Sequence, residues 1–153
     1  MFFGREISGN TEEPIQRVLV VEDEALVAFD NENFLVHAGY VVVGTVDSYD
    51  AAIGLIESEQ IDLVIADVTL SGDKDGIAVA EFASARGVPV LFVTGACPIN
   101  ARSLAVGCLS KPYSQRDLLA SIKVVNAVTR SKRVPRLPSG LSLFQTGPDQ
   151  GEP

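Results

Sequence analysis

Short, wholly apolar runs recur along the middle of this chain, separated by longer stretches that suit helices. That alternation narrows the fold more than any other feature. The runs are Val18 to Val21, Tyr40 to Val43, Leu63 to Ala66, Val90 to Val93, and a shorter fifth at Cys108 to Leu109. An uninterrupted apolar run has no solvent face, which marks a strand buried on both sides, as in a parallel sheet covered by helices.

The intervening stretches carry helix signals. Val27, Phe34, Leu35 and Ala38 share one helical face, Asp30, Asn33 and His37 another, and Gly39 supplies a stop. Ser48 is placed to cap a second helix running to about Ser58, and Asp75 a third over Gly76 to Ala85, ended by Gly87. A fourth, short helix is expected from Pro98 to Gly107. The last begins after Ser114, where Ser114-Gln115-Arg116-Asp117 approximates a capping box, and buries Leu118, Ile122 and Val125. Five such βα units predict an α/β fold, a flavodoxin-like (βα)5 doubly wound parallel sheet of order 2-1-3-4-5. In that order the first and third strands meet at the topological switch point, and ligands bind beyond their carboxyl ends.

The chain's 153 residues are one domain's worth, and 46% apolar content with 21% charged residues excludes a wholly disordered or collagen-like polymer. The expected organisation is a flexible N-terminal tail over 1–16, a folded domain over 17–129 and a flexible C-terminal tail over 130–153. A net charge of −8 argues against a nucleic-acid partner, because phosphate neutralisation needs a basic face. Arg130, Lys132, Arg133 and Arg136 lie together outside the expected core and read as a solvated helix end and tail. Two cysteines are too few for a disulfide scaffold or a four-thiolate zinc site, so a reducing compartment is the simpler assumption. The start lacks a signal-peptide pattern and no apolar run approaches bilayer length, so the expectation is a cytoplasmic protein with no membrane span.

The residues at the strand ends carry the chemistry. Glu22 and Asp23 follow the first strand, Asp67 the third, Thr94 the fourth and Lys111 the fifth. Any one alone reads as a helix cap or a solvated side chain; jointly they do not. Two carboxylates about 4 Å apart repel by roughly 4 kcal/mol at an effective dielectric of about 20, so an acid cluster needs a cation or protons. Carboxylate, carbonyl and water ligands suit Mg²⁺. An aspartate carboxylate can attack phosphorus to give an acyl phosphate, and Asp67 is central among the groups. Lys111 can pair with a phosphoryl oxygen and the Thr94 hydroxyl can hydrogen-bond another.

Val20-Val21-Glu22-Asp23-Glu24, Leu63-Val64-Ile65-Ala66-Asp67, Phe92-Val93-Thr94-Gly95-Ala96 and Ser110-Lys111-Pro112-Tyr113 stand in order along the chain. With these segments the sequence resembles the receiver domain of bacterial two-component response regulators over about residues 17 to 129. The resemblance implies that Glu22 and Asp23 support Mg²⁺, that Asp67 accepts phosphate from a sensor histidine kinase or phosphotransfer protein, that Thr94 moves toward the phosphoryl group and that Lys111 contacts it. It also implies a metal bond from the Thr69 carbonyl, a cis Lys111-Pro112 bond, and a switching face of fourth helix, fifth strand and last helix that a downstream protein reads. Homodimerisation is left open. Phe-x-Thr-Gly at 92–95 looks like a subgroup of mostly single-domain receivers, with Val93 in place of the subgroup's Ala. Cys108 stands where many receivers carry an aromatic relay residue, and Tyr113 is the nearest alternative aromatic. Thr69 and Ala96 occupy the positions that in the family influence hydrolysis of the acyl phosphate.

The expectation is thus a phosphoacceptor rather than an enzyme, dephosphorylating only itself. Two other classes compete. A Mg²⁺-dependent phosphohydrolase would use the same acids, but its expected second acid is absent from Asp67-Val68-Thr69. An interaction module would keep the fold without using phosphate, leaving Asp67, Thr94 and Lys111 without a task. His37 reads as a solvated residue, Cys97 as an ordinary small residue beside the Thr94 loop, and Cys108 as core.

Overall fold

The computed structural model describes residues 14–144. Its elements are β1 (Arg17–Val21), α1 (Ala25–His37), β2 (Val41–Val46), α2 (Tyr49–Ser58), β3 (Leu63–Ala66), α3 (Gly76–Ala85), β4 (Val90–Thr94), a 3-10 turn (Arg102–Leu104), β5 (Gly107–Ser110), α4 (Gln115–Thr129) and β6 (Leu141–Leu143). The sheet order is β2-β1-β3-β4-β5-β6, so the predicted 2-1-3-4-5 arrangement is present with one strand added. The first five strands are parallel, and β6 runs antiparallel to β5.

Alternate side chains leave opposite faces of the sheet, and each face has its own core. Leu19, Val21, Val64, Ala66, Phe92 and Cys108 meet Ala52 and Ile56 of α2 and Val79, Ala80 and Ala83 of α3. Val18, Val20, Leu63, Ile65, Leu91, Val93 and Leu109 meet Leu35 of α1 and Leu118, Ile122 and Val125 of α4. The central strands β1, β3 and β4 are buried nearly throughout, as a two-sided sheet requires. Strand β2 is half-buried, because it lies at the sheet edge; it also runs three residues beyond the expected Val43.

The predicted helix caps hold three starts. The Ser48 hydroxyl accepts from Ala51 N–H at 3.3 Å, the Asp75 carboxylate from Ile77 and Ala78 N–H at 3.0 and 3.2 Å, and the Ser114 hydroxyl from Asp117 N–H at 3.0 Å. Gly39 and Gly87 end α1 and α3 at φ +101° and +78°, where a side chain would be strained.

Three expectations need correction. The fourth helix, expected from Pro98 to Gly107, is a single 3-10 turn. Ala101 and Ala105 are buried and imitate a helical i, i+4 stripe, but the turn lacks a side-chain cap and Gly107 already belongs to β5. The folded unit also starts earlier than residue 17: Ile15 is buried and its N–H donates to the Asn126 side chain of α4 at 2.9 Å.

The third correction concerns the expected C-terminal tail over 130–153, which contains β6. Gly107 pairs with Leu143, Cys108 with Ser142 and Leu109 with Leu141. Ser110 N–H donates to the Gly140 carbonyl at 3.0 Å and Phe144 N–H to the Val106 carbonyl at 2.8 Å. Leu141 is buried in the α1/α4 core, which offsets the ordering cost of so short a strand by roughly 1.5–3 kcal/mol. Gly107 permits the approach, since a Cβ there would lie 2.6 Å from the Ser142 carbonyl oxygen. The remaining parts of the expected tails, 1–13 and 145–153, lie outside the described residues. No helix among the described residues is long and apolar enough to cross a membrane.

Candidate functional site

The carboxyl ends of β1, β3, β4 and β5 bring Glu22, Asp23, Asp67, Thr94 and Lys111 to one edge of the sheet. Register places them there: Val21 pairs with Ala66 in β1–β3, so the acids that follow both strands are neighbours. A ligand oxygen from each of Glu22, Asp23 and Asp67 lies within 4.8 Å of the other two.

Lys111 enters this cluster from the far side of β4. Its Nζ donates to Asp67 Oδ2 at 2.7 Å and to Glu24 Oε1 at 3.2 Å. Glu22 Oε1 is 3.0 Å from the same nitrogen, an ionic contact, and this buried oxygen has no hydrogen-bond partner. The other Glu22 oxygen accepts from Glu24 N–H at 3.1 Å. Burial pushes the Glu22 carboxyl up, with Lys111 and the Glu24 amide pulling it partly back. Burial also works against the charged Lys111, yet its bond to Asp67 and the adjacent Glu22 carboxylate outweigh this and hold its ammonium well above the ordinary lysine value.

Backbone contacts fix Asp67. Its N–H donates to the Val21 carbonyl at 3.0 Å, and its Oδ1 accepts from Thr69 N–H at 3.1 Å. The first residue of α3 packs on the same segment: Gly76 N–H donates to the Val68 carbonyl at 2.8 Å, and a Cβ on Gly76 would overlap the Asp67 carbonyl. Thr94 is buried at the end of β4, and its carbonyl accepts from Lys111 N–H at 2.8 Å. The Lys111–Pro112 bond is cis.

The donor set fits a hard divalent cation. Three carboxylates converge, and one of them carries a buried oxygen without a hydrogen bond. Glu22, Asp23 and Asp67 would be its side-chain ligands.

Several contributors escaped the sequence reading. The Ser71 hydroxyl donates to Asp23 Oδ2 at 3.0 Å, holding that carboxylate from the β3–α3 loop. Asn31, buried in α1, donates through Nδ2 to the Tyr113 hydroxyl at 2.9 Å and so ties the loop after Lys111 to α1. A polar residue one turn before the buried Leu35 was the available signal for Asn31. A cleft of about 450 Å³ opens beside this pair, lined by Glu24, Val27, Asp30, Lys111, Pro112 and Tyr113 among others.

The cysteines also need correction. Cys97 and Cys108, read as an ordinary small residue and a core residue in a reducing setting, form a disulfide with their Cα atoms 6.0 Å apart. Cys108 is fully buried, as expected, but it is not an independent core residue. Pairing depends on β4 and β5 being neighbours, which spacing alone does not reveal.

Comparison with known proteins places this geometry. The family model for the response regulator receiver domain matches residues 18–123. The chain is 36% identical over 131 residues to the transcriptional regulatory protein PdtaR of Mycobacterium tuberculosis, covering 80% of this chain and 61% of that protein. It is 32% identical over 93 residues to the phyllosphere-induced regulator PhyR of Methylorubrum extorquens, covering 60% of this chain and 34% of that protein. The match therefore spans less than two thirds of either relative's length. Among solved structures, a response regulator receiver protein from Sinorhizobium medicae superposes with a TM-score of 0.66 at 26% identity, covering 77% of this chain and 98% of that one. A CheY-like receiver domain protein from Methanospirillum hungatei gives 0.67 at 24% identity, covering 76% and 98%, which speaks for the fold.

Proposed function

This chain belongs to the response regulator receiver domain family of two-component signalling, and on that premise we propose that it works as a phosphorylation switch with Asp67 as the acceptor. The observation that carries the reading is the contact between Lys111 Nζ and Asp67 Oδ2, at 2.7 Å, beside two further acids. A structural ion pair needs one carboxylate, and this lysine faces three within 3.2 Å.

An Asp67 carboxylate oxygen attacks the phosphorus of a phosphohistidine on a kinase or phosphotransfer protein. The new P–O bond forms as the P–N bond breaks, and the imidazole leaves and takes its proton from water. The Thr69 amide holds Asp67 Oδ1, which orients the carboxylate for attack. Lys111 then moves its contact from the carboxylate to a phosphoryl oxygen, and the Thr94 hydroxyl turns toward another. Glu22, Asp23 and Asp67, with the Thr69 carbonyl, would hold Mg²⁺, which would supply the charge neutralisation a dianionic group needs among acids.

Binding of the phosphoryl group shifts a pre-existing equilibrium only through contacts that are better in the switched state. The readout face, built from the turn at 102–104, β5 and α4, has β6 lying along its edge. A downstream protein reads that face, and the protein accepts phosphate stoichiometrically rather than turning over phosphate esters.

Intact mass measurement after incubation with acetyl phosphate and Mg²⁺ tests this. One added phosphate on the wild type and none on Asp67→Ala is the expected result. Equal labelling of both, or steady hydrolysis of a small phosphate ester, would move the assignment to another residue or to a hydrolase.

A further inference from the structure

The disulfide stands between the segments that carry Thr94 and Lys111. Cys97 follows Thr94 by three residues and Cys108 precedes Lys111 by three, so the bond joins the loop after β4 to the body of β5. The loop itself has few anchors. Gly95, Ala96, Ile99 and Asn100 are exposed, whereas Cys97 is half-buried and packs on the α2/α3 core before the chain reaches buried Ala101. Cys97 Sγ also lies 3.8 Å from the Ser110 hydroxyl, next to Lys111. The disulfide is the covalent part of the loop's attachment to the sheet, and it joins a half-buried residue to a fully buried one.

We propose that Cys97–Cys108 is a thiol–disulfide modification site, opened by dithiols and closed by small disulfides such as oxidised glutathione, that sets how far the loop after Thr94 can travel. The gating part rests on the phosphorylation reading above. In opening, a reagent thiolate attacks Sγ of Cys97, the less buried of the two residues. The Cys97–Cys108 bond breaks as the mixed disulfide forms, and Cys108 leaves as a thiolate that is then protonated. The reagent's second thiol displaces Cys97 as a thiol and becomes the oxidised reagent. Closing runs the same exchanges in reverse: one oxidised glutathione yields two reduced glutathiones and the protein disulfide.

With the bond closed, the loop is pinned to β5, and the N–H of Lys111, just after that strand, is already held by the Thr94 carbonyl. With it open, the loop can follow the Thr94 hydroxyl toward a phosphoryl group. A constraint that favours the unswitched state must lower the apparent response to phosphate by the same factor.

The experiment uses the full chain, treated with dithiothreitol or with oxidised glutathione, and reads three quantities. Alkylation followed by mass measurement should find two thiols in the first sample and none in the second. Amide hydrogen exchange over 94–101 should be faster in the reduced protein, and acetyl phosphate labelling faster by at least about threefold. Cys97→Ser, with one thiol left, should match the reduced protein in exchange and in labelling under both treatments; it spares the buried Cys108. Thiols still alkylated after glutathione treatment, or identical exchange over 94–101 in the two samples, overturn the site. Equal labelling rates in two samples that differ in exchange overturn the gating. Absence of labelling in both samples defeats the phosphorylation reading and the gating with it, while exchange still decides the disulfide's hold on the loop.

Discussion

Lys111 Nζ stands 2.7 Å from Asp67 Oδ2 although the two residues are 44 positions apart and a whole strand, β4, lies between their own. The same nitrogen is 3.0 Å from Glu22 Oε1, so one ammonium neutralises acids from two strand ends.

Lys111→Met removes that charge and leaves Glu22 buried without a counter-ion. Breaking a pair of this kind costs about 3–5 kcal/mol when it is fully enclosed, and somewhat less here because the lysine side chain keeps 18% exposure. Thermal melts should show a lower midpoint without divalent ions and a larger stabilisation by Mg²⁺ than the wild type shows. A variant whose midpoint responds to Mg²⁺ no more than the wild type's would mean that the acids do not share one cation.

Gly76→Ala should be among the most damaging single-methyl additions, because the new Cβ overlaps the Asp67 carbonyl. Moving backbone in a packed site costs about 1–3 kcal/mol. Both the urea midpoint and the rate of acetyl phosphate labelling should fall, whereas Asp75→Ala, one residue earlier, should lose only the cap, about 1 kcal/mol, and keep its labelling rate.

Strand β6 can be lifted by two independent substitutions. Gly107→Val places a side chain against the Ser142 carbonyl, and Leu141→Ala empties a buried site at a cost of about 2–5 kcal/mol. In each case limited proteolysis should cut faster within 131–140. Unaltered cleavage in both would show that the β5–β6 pairing adds nothing to protection.

Tyr113 supplies a pH test. Burial pushes its hydroxyl above the ordinary tyrosine value, while the bond from Asn31 pulls the other way. The folded state therefore keeps this proton to higher pH than the unfolded chain does. Its contribution is complete below the ordinary value near 10 and is lost as pH climbs above it. Tyr113→Phe should thus weaken the alkaline fall of the urea midpoint without abolishing it, since half-buried Tyr40 is shifted in the same direction. Below pH about 9 the variant should be less stable by about 1–3 kcal/mol, because Asn31 Nδ2 loses its acceptor.

Much of the sheet and most of the site were legible because strand and site residues are adjacent in sequence. An apolar run ends and a carboxylate, hydroxyl or ammonium follows it, so finding Val18–Val21, Leu63–Ala66 and Val90–Val93 also located Glu22, Asp23, Asp67 and Thr94. Caps at Ser48, Asp75 and Ser114 were legible for the same reason: their hydrogen bonds close within three residues. What stayed hidden depends on contacts between distant segments. Leu141-Ser142-Leu143 is too short to show a period, and its docking depends on a glycine more than thirty positions away, at Gly107. The Ser71–Asp23, Asn31–Tyr113 and Cys97–Cys108 contacts each join segments that only the folded topology brings together. The turn at 102–104 misled because Pro98 and Gly107 look like the start and stop of a helix, whereas Gly107 belongs to β5 and only Arg102–Leu104 forms a turn between them.

The strand seated against β5 is a competitor that cannot diffuse away. Tethered through 130–140, it confronts the outer row of β5 amides at a local concentration on the order of millimolar. With a micromolar intrinsic affinity of the tethered strand for that row, a visiting polypeptide would bind about a thousandfold more weakly than its own contacts allow. Recognition at this edge is accordingly decided by exchange: whatever lowers the hold of Leu141 and Leu143 raises the apparent affinity of the visitor by the same factor, with no change in the visitor itself.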